Sequence, residues 1–119
     1  MKDQTAVYVA VDGSAEVRLF EIGESYELLR SAVEGWIECV HLGSIGVDMW
    51  LNEEGKIYDL PENLFATYLF AREFGQVDSV RGNVIFTSTN HDTGETIGLT
   101  QEQFDALEVA LSELMVSQR

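Results

Sequence analysis

What most restricts the folds open to this chain is that its short strand-like runs come in pairs, joined by glycine-bearing loops too short to hold a helix. In "AVYVAVDGSAEVRLFEIG" apolar residues alternate on both sides of Asp12-Gly13-Ser14. Val7, Val9 and Val11 share one face, Tyr8 and Ala10 the other, and Val17 and Leu19 continue beyond the turn. Glycine supplies the positive φ of a tight turn, so the segment predicts a β-hairpin. "WIECVHL" and "VDMWLN" make a second pair around Gly43-Ser44-Ile45-Gly46. Ile37, Cys39 and His41 share a face of the first run, while Asp48 and Trp50 lie opposite Val47, Met49 and Leu51 in the second. "KIYDL" returns after the turn-like Asn52-Glu53-Glu54-Gly55, and "GNVIFTSTNHDTGETIGL" reads as a strand, a polar tip at Gly94 and a short return strand.

Between these pairs the period changes to that of a helix. "ESYELLRSAVEG" carries Tyr26, Leu29, Ala32 and Val33 at i, i+3, i+6 and i+7, with Gly35 at the expected C-cap. Pro61 has the position of a first helical residue and Glu62 lies in the first turn. Leu64, Phe65, Tyr68, Leu69, Ala71 and Phe74 then form an apolar helix ending near Gly75. Thr100 and Gln103 form a capping-box pattern ahead of a last helix over about 100–116. Phe104, Leu107, Leu111, Leu114 and Met115 line one side of that helix; Glu102, Asp105, Glu108 and Glu113 fall on the other, with Val109 and Val116 inside the acidic arc.

No repeat, low-complexity tract or linker interrupts the chain, so residues 1–119 read as a single α+β domain of order ββαββ(β)αββα. Hairpins between helices predict an antiparallel or mixed sheet with about three helices packed on one face. A chain of 119 residues is long enough to bury a core without staples. The single cysteine, Cys39, forms no internal disulfide and fits a reducing, cytoplasmic setting. "MKDQTAVYVAVDGS" lacks the run of a signal peptide, and no window approaches the ~20 apolar residues of a membrane span.

Charge narrows function further. Against 21 Asp+Glu stand only 7 Lys+Arg, a net −14, with the cations scattered along the chain. Binding to a phosphate backbone requires clustered Lys and Arg, so direct nucleic-acid binding is not expected. An anionic surface favours basic partners and solubility.

Local motifs add little chemistry. The adjacent acids of "NEEG" lack the alternate ligand spacing of a calcium loop, and Asp48, Glu53, Glu54 and Asp59 are more simply solvated than metal-binding. "DTG" at 92–94 follows polar Thr89-Asn90-His91 and not an apolar strand, unlike an aspartic-protease half-site. Cys39 and His41 would lie about 7 Å apart along one strand, which reads as a core cysteine beside a partly buried histidine. Two histidines and one cysteine leave no ordinary zinc site, and no phosphate-loop, dinucleotide or nucleophile-elbow motif is present. No catalytic residue, metal or cofactor is assigned.

Gly35-Trp36-Ile37-Glu38, Asn52-Glu53-Glu54-Gly55-Lys56, Leu60-Pro61-Glu62-Asn63, Ala66-Thr67 and Gly82-Asn83-Val84 occur in an order that resembles the family catalogued as domain of unknown function 3846, over about residues 6–98. The last helix lies outside the matched pattern. The resemblance implies an accessory protein of phages or bacterial mobile elements and transfers no catalytic residue.

The expected function is therefore a non-catalytic acidic protein that binds a host protein with a basic surface, in host takeover or counter-defence, through Glu102, Asp105, Glu108, Val109 and Glu113. A second expectation is sequestration of a nucleotide-like signal by Trp36, Trp50, Tyr58, Asn63, Arg72 and Arg81, in a pocket between protomers. DNA mimicry and an uncharacterised hydrolase or transferase are further alternatives, and a homodimer is compatible with the sequence.

Overall fold

A computed structural model describes residues 2–75 and 78–117. Its elements are β1 (Gln4–Val9), β2 (Ala15–Phe20), α1 (Ser25–Val33), β3 (Ile37–Leu42), β4 (Val47–Asn52), α2 (Leu64–Phe74), β5 (Val84–Thr89), β6 (Thr96–Ile97) and α3 (Gln101–Ser117). Every pairing is antiparallel and the main order is β2-β1-β5-β4-β3. β6 pairs with β5 next to the start of β1, where the Leu99 N–H donates to the Thr5 carbonyl at 2.8 Å. The protein is an α+β domain, as the paired runs require.

The helices do not share one face of the sheet. Leu29 and Ala32 of α1 pack with Ala6, Phe20 and Ile85, whereas Phe65, Ala66 and Leu69 of α2 and Leu107 and Ala110 of α3 cover Val7, Val9, Met49, Val84 and Phe86 on the opposite side. β5 lies at the centre of the sheet and is buried from Val84 to Ser88, so both of its faces need cover. Phe65 meets Phe86 edge-on, with ring centroids 5.8 Å apart.

Local chemistry moves three expected boundaries. "KIYDL" is not a strand: Tyr58 N–H donates to Glu54 C=O, Asp59 N–H to Lys56 C=O and Leu60 N–H to Gly55 C=O, curling the segment into turns. α2 starts after Pro61 and Glu62, because Asn63 is the stronger N-cap; its side-chain oxygen accepts from the Ala66 N–H at 3.1 Å. α1 ends with Glu34, and not Gly35, in the left-handed conformation. Gly35 answers a different need, since a Cβ there would stand 2.5 Å from Asn52 Nδ2.

The capping box of α3 forms as read: Gln103 N–H donates to Thr100 Oγ1 and Thr100 N–H to Gln103 Oε1, at 3.2 and 2.7 Å. Gln103 Nε2 also donates to the Gly46 carbonyl and to Ser88 Oγ, fastening α3 to the β3–β4 loop and to β5. Met115 is exposed and not in the core, because it sits about 80° around the helix from Leu107. Ala110 takes the inward position instead.

Candidate functional site

Asp105, Glu108, Val109, Ser112, Glu113 and Val116 form one shallow concave strip along the outer side of α3. They recur at i, i+3, i+4, i+7, i+8 and i+11, which keeps them on one stripe of the helix. Val109 and Val116 are 57% and 62% exposed inside this acidic frame. Of the expected partner-binding residues, Asp105, Glu108, Val109 and Glu113 lie in the strip, and Glu102 stands exposed one turn earlier. Glu113 is held in place by the Tyr68 hydroxyl at 3.0 Å and by Arg72 Nη1 at 3.3 Å. Asp105 accepts from Gln101 Nε2 at 2.9 Å, which leaves Glu108 the most available carboxylate at the centre.

Glu108 also borders a second depression, of about 240 Å³, that separates α3 from β2. Its floor is Val7, Val9, Phe65 and Leu107, and its walls are Phe104 and Leu111 on one side and Ala15 and Val17 on the other. The alternation of β2 was legible, but that β2 would be an edge strand, with Val17 and Leu19 left uncovered, was not.

The residues expected to surround a nucleotide-like ligand are dispersed. Trp36 stacks under the Arg30 guanidinium, 4.0 Å from its ring centroid. Trp50 donates its indole N–H to Thr87 Oγ1 at 2.8 Å. Arg72 belongs to the Glu113 cluster, and Arg81 binds Asp59 and the Leu60 carbonyl. Tyr58 is exposed on the turn after Gly55. Asn63 is 1% exposed, and besides capping α2 its amide donates to the Val9 and Gly82 carbonyls, both at 3.1 Å. It is a structural knot between β1, α2 and the entry to β5, with both amide hydrogens spent on main-chain carbonyls and its side chain closed off from solvent.

Asp48, Glu53, Glu54 and Asp59 do not converge, and among the described residues no group of three or more His, Cys, Asp or Glu side chains could hold a metal ion. "DTG" lies on an exposed turn, where Asn90 Oδ1 accepts from the Asp92 N–H at 2.9 Å. No helix among the described residues is long and apolar enough to cross a membrane.

The sequence model of one family, described as "Domain of unknown function (DUF3846)", matches residues 1–112. The chain belongs to that family. The match extends well into α3, past the span of the sequence resemblance, and takes in Asp105, Glu108 and Val109 of the strip. No curated protein and no solved structure matches the chain.

One polar cluster of this DUF3846 domain escaped the sequence reading. Register places His41 of β3 opposite Asp48 of β4, and Nδ1 lies 2.8 Å from Oδ1. Thr89 Oγ1 donates to the other Asp48 oxygen. Asp48 is buried, and these two partners satisfy it. Cys39, expected in the core, is exposed, because β3 is the outer strand of the sheet. Partial desolvation of its sulfur, and then the Asp48 carboxylate, push the thiol up to about 11. A thiol protonated at neutral pH is a poor nucleophile, so Cys39 and His41 do not make an activated pair.

Proposed function

We propose that this DUF3846 protein is a non-catalytic accessory protein, of the kind carried by phages and mobile elements, that works in the cytoplasm by binding a host protein with a basic surface. The observation that carries this reading is the α3 strip, in which two half-exposed valines lie inside a frame of carboxylates. Val109 and Val116 offer an apolar centre whose burial drives association, and Asp105, Glu108 and Glu113 form the charged rim that selects Lys and Arg. The matching partner presents an aliphatic or aromatic side chain flanked by cations. A net charge of −14 adds long-range attraction, which accelerates encounter with such a partner and fades as salt rises. The muted Cys39 thiol and the dispersal of the arginines and tryptophans favour this reading over a nucleophilic enzyme or an anion-binding pocket.

The test pairs capture from host lysate with strip variants. A captured protein should dissociate at high salt, should be lost by Val109→Arg and Glu108→Lys, and should be kept by Glu95→Lys, which makes the same charge change as Glu108→Lys on the exposed β5–β6 turn, outside the strip. Retention by both strip variants, or a large thermal shift with a single nucleotide, overturns the reading.

A further inference from the structure

The outer edge of β2 is open, at one end of the sheet. The Ala10 N–H donates to the Ser14 carbonyl at 2.9 Å, making these a hydrogen-bonded pair next to the β1–β2 turn. In an antiparallel ladder such pairs alternate with non-bonded ones. Glu16, Arg18 and Phe20 therefore spend their main-chain groups on β1, and Ala15, Val17 and Leu19 direct theirs outward. Among the described residues nothing pairs with that outer edge. Its two surfaces differ: Glu16 and Arg18 lie on the α1 side, whereas on the α2/α3 side no charge guards the edge and Val17 and Leu19 are 50% and 54% exposed.

We infer that β2 pairs antiparallel with β2 of a second copy about a two-fold axis through Val17, joining two sheets into one. Outward groups can meet only outward groups, which restricts the axis to a few positions along the strand. Centred on Glu16 or Arg18, the pairing sets glutamate against glutamate or arginine against arginine. Centred on Val17, it sets Glu16 against Arg18 of the second copy and Arg18 against Glu16, a self-complementary arrangement of the kind a two-fold interface demands. Glu16 and Arg18 already form an ion pair within the strand, Nε to Oε1 at 2.6 Å, and the Arg18 guanidinium lies 4.3 Å from the Tyr8 ring centroid. Both are thus held on the sheet surface facing the axis. On the opposite surface Leu19 of the second copy falls against Ala15, whose small side chain leaves room at the mouth of the β2–α3 depression.

The contact is independent of the α3 strip, and it responds to salt in the opposite sense. Two chains of net −14 repel, so screening strengthens the pair while it weakens binding of a basic partner. Sedimentation velocity from low micromolar to near-millimolar concentration, at low and high salt, reads both the stoichiometry and the sign. The wild-type protein should show a monomer–dimer equilibrium that tightens with salt. Glu16→Arg or Arg18→Glu alone sets like charges opposite each other in both pairs and should weaken it about tenfold, and the double exchange should restore it. Val17→Pro removes an N–H that β1 does not use and should abolish the dimer with the monomer still folded. A monomer under all conditions, or a dimer indifferent to both single exchanges, overturns the inference.

Discussion

The two edges of the sheet are alike in backbone but differ in how their exposed side chains are held. β3 ends one side and β2 the other, each six residues long and each with alternate main-chain groups facing outward. On β3 the exposed residues are Glu38, Cys39 and His41, and the edge is fastened inward: His41 to Asp48 across the hairpin, and the adjoining loop through Glu73, whose carboxylate accepts from the Ser44 N–H at 2.9 Å and the Ser44 hydroxyl at 2.8 Å. Those two hydrogen bonds hold Glu73 below the ordinary carboxylate range. On β2 the half-exposed Val17 and Leu19 have no such fastening among the described residues. An open ladder is thus neutral ground: polar groups tie β3 and its loop to the rest of the domain, whereas the polar contacts of Glu16 and Arg18 occupy one surface of β2 and leave an apolar one bare, the surface on which the proposed pairing would rest.

The largest effect should come one strand in from the β3 edge. Asn52, at the end of β4, donates from Nδ2 to the Val33 carbonyl at 3.1 Å and accepts at Oδ1 from the Glu54 N–H at 2.8 Å, so one amide joins the C-terminus of α1 to the turn beyond β4. Asn52→Ala strands both backbone groups and should cost about 3 kcal/mol in urea-monitored unfolding. A loss under about 1 kcal/mol would show that water satisfies those groups and that the polar anchor is dispensable.

How far this contrast was legible in the sequence depends on the range of the interactions behind it. Hairpin pairing follows from local loop chemistry, and counting outward from the loop at 43–46 already sets His41 against Asp48, a pair hidden only by attention to the adjacent acids downstream. The unbroken apolar run Val84-Ile85-Phe86 was a signal that both faces of that strand are covered, and hence that the helices divide between them. Strand order is set by contacts between distant segments. Nothing near Cys39 announces that β3 lies outermost, nor does anything near Val17 mark β2 as the opposite edge. Val109 and Val116 were visible as anomalies within an acidic arc, yet the strip they make depends on which side α3 turns to the core. "KIYDL" misled because strand propensity gives way where the Asn52 and Gly55 main-chain groups begin a chain of turns.

A smaller effect distinguishes quiet from reactive chemistry on the β3 edge. At pH 8 a thiol with a pKa of about 11 is ~0.1% ionised, against ~10% for one at the ordinary 9.0, so Cys39 should alkylate about a hundredfold more slowly in the folded protein than in urea. The same shift predicts the sign of a stability change. The unfolded chain releases this proton first, so stability is intact below about pH 9 and declines as pH rises toward about 11. Folded-state alkylation at the unfolded rate would mean that the sulfur is fully solvated and that β3 is no better shielded than β2.

The smallest effect is expected where the contrast is sharpest. Val17→Thr and Leu19→Thr give β2 the polarity of β3, and each position already keeps about half its side chain in water. Threonine retains β-branching and strand preference, so monomer stability should move by no more than about 0.5 kcal/mol for Val17→Thr. If β2 is an unused solvent surface, nothing else should follow. If it is adhesive, the same substitution should weaken self-association while the urea midpoint of the monomer holds. A fall in monomer stability of about 2 kcal/mol would instead place Val17 within the core that β1 and α3 enclose, and the two edges would then differ in packing and not in readiness to pair.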